Sequence, residues 1–85
     1  MTEQDAIDFM ANHTAQQIYD AGANGTALDT CYIGEAFFNE DDTVVQRAVL
    51  VAIDGSAAWM VREQTDGSYT AQPAKPGWVG WTPDA

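Results

Sequence analysis

The fold of this chain is decided by residues 43–67, which read TVVQRAVLVAIDGSAAWMVREQTDG. The first half of this segment is rich in β-branched residues, which favour an extended strand. Asp54-Gly55 is a strong two-residue signal for a β-hairpin, and Asp66-Gly67 repeats that signal further along. The segment therefore predicts two successive hairpins in one antiparallel sheet.

The predicted sheet is a meander of about four strands, over residues 30–38, 43–53, 57–63 and 68–72. Residues 43–53 suit a central strand because both faces become apolar toward the end of the segment. The stretch Thr30 to Phe38 has an alternative, a short helix that begins at residues 26–29. We favour a strand there, because its aromatic residues and Ile33 pack well on a pleated surface.

An amphipathic helix is predicted over residues 3–21, ahead of the sheet. Thr2 suits its N-cap with Asp5 as the reciprocal partner, and Gly22 suits a left-handed C-cap. A stripe at a spacing near 3.6 residues supports the helix and contains Ile7, Met10, Ala11, Thr14, Ile18 and Ala21.

Together these elements predict an α+β fold in two layers, in which one N-terminal helix packs on the sheet. The length of 85 residues suits a single small acidic domain, residues 1–85, with an aromatic tail over residues 73–85. One contact cluster is expected to contain Ile7, Met10, Ile18, Val49, Val51, Ile53, Trp59 and Val61.

Negative charge is concentrated in the first half of the chain. The net charge is −10, and −9 of it precedes Arg47, the first basic residue. Such a one-sided field attracts cationic partners and repels anionic ones. The acids before Arg47 are Glu3, Asp5, Asp8, Asp20, Asp29, Glu35, Glu40, Asp41 and Asp42.

Several classes of protein are disfavoured by the sequence. A basic footprint for direct binding of DNA or RNA is absent, and the longest apolar run, residues 48–53, is far shorter than a membrane span. The acidic start lacks the basic end of a signal peptide. The single cysteine, Cys31, fits a reducing compartment, so we expect a cytoplasmic protein, in the host cytoplasm if a phage encodes it.

No enzyme or cofactor is expected from the candidate chemical groups. His13 and Cys31 lie in no catalytic or metal-binding signature, so we interpret His13 as a surface residue and Cys31 as a small buried hydrophobe. The run Asn39 to Asp42 lacks the spacing of a calcium loop and suits a solvated turn. No metal site is predicted.

The predicted binding residues are carboxylates and one aromatic ring. No base stands one turn from the acids of the helix, and Asp20 opposes the helix dipole. Phe9, on the polar face, either packs under the tail or is an exposed anchor ringed by acids. The expected partner contacts are Asp5, Asp8, Asp20, Glu40, Asp41, Asp42 and Phe9.

These features predict a small non-enzymatic inhibitor, a monomer or small homo-oligomer, that binds a basic nuclease or effector-complex subunit by mimicking nucleic acid. Phage anti-CRISPR and anti-restriction proteins and nuclease-immunity proteins use this strategy. One alternative is a salt-adapted domain whose acids only maintain solubility. Another is an interaction module that uses an aromatic patch, with Trp78 and Trp81 as candidates.

Overall fold

The computed structural model of the chain describes residues 1–38 and 42–74. One antiparallel sheet has the strand order β1-β2-β3-β4 and follows two helices. The elements are α1 (Glu3–Asn12), α2 (Ala15–Asn24), β1 (Cys31–Phe38), β2 (Val44–Ala52), β3 (Ala58–Gln64) and β4 (Tyr69–Pro73). The two-layer α+β fold and the strand at residues 30–38 are confirmed. Of the predicted aromatic tail, only Pro73 and Ala74 lie within the described residues.

The single helix predicted over residues 3–21 is wrong, because the chain is extended at His13 and Thr14, between α1 and α2. Thr14 begins a second capping box: its hydroxyl accepts the Gln17 backbone N–H at 3.1 Å, and Gln17 Oε1 accepts the Thr14 N–H at 2.9 Å. This satisfies two N–H groups that a helix start leaves open. The apolar spacing hides the break, because Met10 and Ile18 keep the same period on either side of it.

The second helix runs past the predicted stop at Gly22 to Asn24, and Gly25 is its C-cap. Gly25 has a φ of 66°, and its N–H bonds back to the carbonyls of Ala21 and Gly22. Glycine suits this left-handed cap because it has no Cβ. Gly22 instead allows close packing of α2 on β1, since a Cβ there would lie 3.2 Å from Ile33 Cγ2.

Both helices pack on one face of the sheet. α1 contacts β3 and β4, whereas α2 contacts β1. Met10, Ile18 and Val61 are buried in this interface as predicted, and Trp59 packs against them, but Leu50 was missed. The described helices are not long and apolar enough for either to cross a membrane.

The expectation of one contact cluster is wrong for the rest of the predicted core. Val49 and Val51 belong to a second cluster with Ala58, Met60 and Ala74. Because successive strand residues point to opposite faces, these side chains lie on the face away from the helices, which we call the outer face. Two predicted core residues lie outside both clusters: Ile53 is 53% exposed beyond the end of β2, and Ile7 is half-buried.

Truncation of Ile18 tests the helix–sheet interface. Ile18 is fully buried, so we expect Ile18→Ala to lower the free energy of unfolding by about 2–5 kcal/mol in a urea titration. Ile53→Ala is the matched control at an exposed site and should change it by less than about 0.5 kcal/mol. Equal losses in the two variants would contradict the assignment of the helix-facing core.

The second capping box has its own test. Thr14→Ala removes the hydroxyl that accepts the Gln17 N–H, and we expect a loss of about 0.5–2 kcal/mol in unfolding free energy. Thr14→Ser keeps the hydroxyl and should retain most of the stability. If the alanine variant were as stable as the serine variant, the helix break would not depend on this cap.

Candidate acidic binding site

A cavity of about 380 Å³ opens between α1 and the turn that precedes β1. Asp5 and Asp8 line it from α1, and Asp29 lines it from the turn. Phe9 and Cys31 supply apolar lining. We call this the acidic cavity, since three carboxylates from two segments of the chain converge on it and no described lysine or arginine is among its lining residues.

The helix positions the first two carboxylates one turn apart. Asp5 Oδ2 accepts the Thr2 backbone N–H at 2.9 Å as part of the N-terminal capping box. This bond, with the one between the two side chains, holds the pKa of the Asp5 carboxyl below its usual value. Asp8 Oδ1 accepts from the Gln4 side chain at 2.8 Å. Both side chains are exposed, so local hydrogen bonds orient two negative groups that face solvent.

The third carboxylate, Asp29, was not predicted as a site residue. It lies in a tight turn closed by reciprocal backbone hydrogen bonds between Leu28 and Cys31, at 2.8 and 3.1 Å. Its φ is 57°, in the left-handed region that aspartate tolerates better than most residues. The sequence signal that could have identified it is an aspartate between two predicted elements, where a turn requires such a backbone.

His13 joins the helix junction to this turn. Its Nδ1 lies 2.7 Å from the carbonyl oxygen of Phe9, and its ring stacks on the Phe9 ring with centroids 4.2 Å apart. Its Nε2 lies 3.5 Å from Asp29 Oδ2. Its side chain is 13% exposed, so His13, which was predicted as a surface residue, is half-buried at the C-cap of α1.

The remaining predicted carboxylates do not line the acidic cavity. Asp20 is exposed on α2 and accepts from the Gln16 side chain at 2.7 Å. The helix break means that Asp5, Asp8 and Asp20 do not form a row along one helix. Asp42 is exposed just before β2. The predicted contacts Glu40 and Asp41 lie outside the described residues.

The alternative of Phe9 as an exposed aromatic anchor is wrong. Phe9 is 7% exposed and belongs to the cluster between the helices and the sheet. The prediction placed it on the polar face of one straight helix, whereas in the structure Phe9 belongs to the same buried cluster as Met10 and Cys31. Trp78 and Trp81, the other aromatic candidates, lie outside the described residues.

Cys31 and the carboxylates offer no recognisable metal centre within the described ranges. Cys31 is 1% exposed, and burial raises the pKa of its thiol, in keeping with the predicted small buried hydrophobe. A thiol held protonated in this way is a poor nucleophile and a poor metal ligand. Among residues 1–38 and 42–74, no group of three or more His, Cys, Asp or Glu side chains could hold a metal ion.

The described basic residues lie on the other side of the sheet. Arg47 and Arg62 are cross-strand partners, and the Arg47 guanidinium lies 4.7 Å from the centre of the Phe37 ring. Val61, next to Arg62, faces the helices, so strand alternation places both arginines on the outer face. The helix layer and its connecting turn therefore carry acids without a described lysine or arginine.

Comparison of the chain with protein-family models, with curated proteins and with solved structures found no match.

Acid should destabilise the fold through carboxyls that accept local hydrogen bonds. The bonds from Thr2 to Asp5 and from Ser68 to Asp66 hold both carboxyl pKa values below the usual 3.8. A depressed folded-state pKa contributes stability that is present above the unfolded-state value and lost as pH falls through the folded-state value. We therefore expect the melting temperature to fall as pH is lowered from about 4 toward 2.

Asp5→Asn isolates the contribution of the helix cap, because the amide oxygen still accepts the Thr2 N–H but does not titrate. This variant should lose less stability than the wild type between pH 5 and pH 2.5. Glu3→Gln removes a carboxyl from the same helical turn and serves as control. An acid response in Asp5→Asn as large as in the control would show that the cap is not the source.

Proposed function

We propose that this protein is a small cytoplasmic inhibitor that binds a basic, nucleic-acid-binding protein through the acidic cavity and the carboxylates around it. The observation that carries the proposal is the convergence of Asp5, Asp8 and Asp29 on one cavity whose lining includes no described lysine or arginine. Asp20 and Asp42 add exposed negative charge elsewhere on the described part of the chain. A nuclease or an effector-complex subunit would contact these carboxylates through its nucleic-acid-binding groove.

The physical basis of such inhibition is the replacement of phosphates by carboxylates. A groove that binds nucleic acid presents lysine and arginine side chains to phosphate oxygens. Asp5 and Asp8 stand on a capped helix and are oriented by local hydrogen bonds, so little ordering is needed when a cation approaches. The net charge of −10 also accelerates the encounter with a basic surface.

The salt-adapted alternative assigns the acids to solubility alone. It expects acids over the whole surface, and some do lie at the strand turns. Those turn acids have local structural roles, because Asp54 accepts the Ser56 N–H and Asp66 accepts the Ser68 N–H. The acidic cavity differs in bringing together carboxylates from segments that are distant in sequence. That convergence favours binding over simple solvation.

An aromatic interaction module is the second candidate function, and one observation favours it. Tyr32 and Phe37 on β1 are 43% and 40% exposed. Their cross-strand partners are Val51 and Arg47, so strand alternation places both aromatic rings on the outer face. A partner that used this surface would not depend on the acidic cavity, which makes the two functions separable.

Charge reversal in the acidic cavity tests the proposed function. Asp8→Lys should weaken binding to the basic target by about 2–5 kcal/mol if Asp8 is desolvated and paired in the complex. Asp66→Lys is the matched control, since it makes the same charge change at a carboxylate that also accepts local hydrogen bonds. Binding is measured by calorimetry, after circular dichroism shows that both variants are folded.

Competition with nucleic acid is the decisive measurement. The target is isolated by affinity capture from a lysate, and its own DNA or RNA ligand is then titrated against this protein. We expect mutually exclusive binding and an association rate that falls steeply with salt. Simultaneous binding of both ligands, or equal affinities of Asp8→Lys and Asp66→Lys, would contradict mimicry and favour the outer face.

A further inference from the structure

The hydrogen bond between His13 and Phe9 fixes which ring nitrogen carries the proton. A backbone carbonyl oxygen only accepts, so His13 Nδ1, 2.7 Å away, must be the donor. In the neutral ring, Nε2 then has only a lone pair, and this atom faces Asp29 Oδ2 at 3.5 Å. Two acceptors therefore oppose each other until Nε2 takes up a proton. Protonation converts the opposed acceptors into an ion pair.

The titratable groups that line the acidic cavity with His13 are mostly carboxylates. The acidic cavity presents Asp5 and Asp8 from α1 and Asp29 from the turn, with the Cys31 thiol as the titratable group of β1. Met1 also lines the cavity, and no described lysine or arginine does. The His13 side chain is 13% exposed and the Asp29 side chain 69%, so solvent screens their interaction only in part.

We propose that His13 is a proton-operated switch that stabilises the fold and weakens the acidic cavity at the same time. Protonation at Nε2 forms an ion pair between the ring and Asp29. This ion pair links the helix junction to the turn before β1. The same event places a positive charge in the surface through which the proposed function operates. This second effect rests on the proposed function, whereas the first does not.

The direction of both effects follows from the charge states. Histidine side chains change charge between about pH 5 and pH 8, whereas aspartates stay ionised across that range. The stabilising ion pair is therefore present at the acidic end and is lost as pH rises. Attraction for a cationic partner is strongest at the alkaline end, where the ring is neutral. Stability and partner binding should change in opposite directions over one pH window.

Thermal unfolding tests the first effect. Between pH 8 and pH 5.5 the melting temperature of the wild type should rise relative to that of His13→Gln by about 2–4 °C, as expected for a partly exposed ion pair in a domain of this size. The comparison uses the pH difference within each variant, so a constant loss from the missing ring cancels.

Asp29→Asn is the second arm and Asp66→Asn its control. Asp29→Asn removes the carboxylate that faces Nε2 and should remove the relative rise, whereas Asp66→Asn makes the same charge change at the β3–β4 turn and should keep it. The chain has one histidine, so its ring signals are unambiguous in nitrogen-detected NMR. At pH 8 these should show the proton on Nδ1. A proton on Nε2, or an unchanged pH response in His13→Gln, would overturn the switch.

The binding arm separates failure of the switch from failure of the proposed function. Affinity for the captured basic target should fall about 3- to 10-fold from pH 8 to pH 5.5 in the wild type, relative to His13→Gln. An equal fall in both proteins would overturn the switch and leave the inhibitor function intact. If no basic target competes with nucleic acid, the proposed function fails, and the thermal and NMR arms alone decide whether His13 responds to protons.

Discussion

The break at His13 and Thr14 is the constraint on which the rest of the structure depends. The Thr14 capping box starts a new helix, so the helical segment divides between two positions on the sheet: α1 over β3 and β4, and α2 over β1. His13 follows the last turn of α1, and its Nδ1 lies 2.7 Å from the carbonyl oxygen of Phe9 in that turn. Its Nε2 lies 3.5 Å from Asp29 Oδ2, so the ring connects the end of α1 with the turn before β1.

The position of charge in the molecule follows from this arrangement. The helices cover one face of the sheet, and Asp5 and Asp8 of α1 line the acidic cavity, while Arg47 and Arg62 lie on the outer face. The described helix layer therefore contains no lysine or arginine to neutralise these acids. The separation is a consequence of strand alternation, because a one-residue shift in the register of β2 would have moved Arg47 to the helix side.

The sheet could be predicted from the sequence because its signals are local. β-branched residues in β2 and the Asp-Gly pairs in both turns define strands and hairpins without reference to distant contacts. The helix break could not be predicted from periodicity, since Met10 and Ile18 keep the same stripe across it. Asp29 was missed for another reason. Its position depends on a left-handed backbone conformation in a tight turn, and this turn forms only when Leu28 and Cys31 pair.

At the start of α1, Asp5 combines a structural role with the proposed binding role. The Asp5 carboxylate caps the helix through the Thr2 N–H, and the same hydrogen bond favours its ionised form. The fold therefore keeps a negative charge at the rim of the cavity as a condition of its own stability. The Asp8 and Asp29 carboxylates line the same cavity. A basic partner would thus find charges that folding has already oriented.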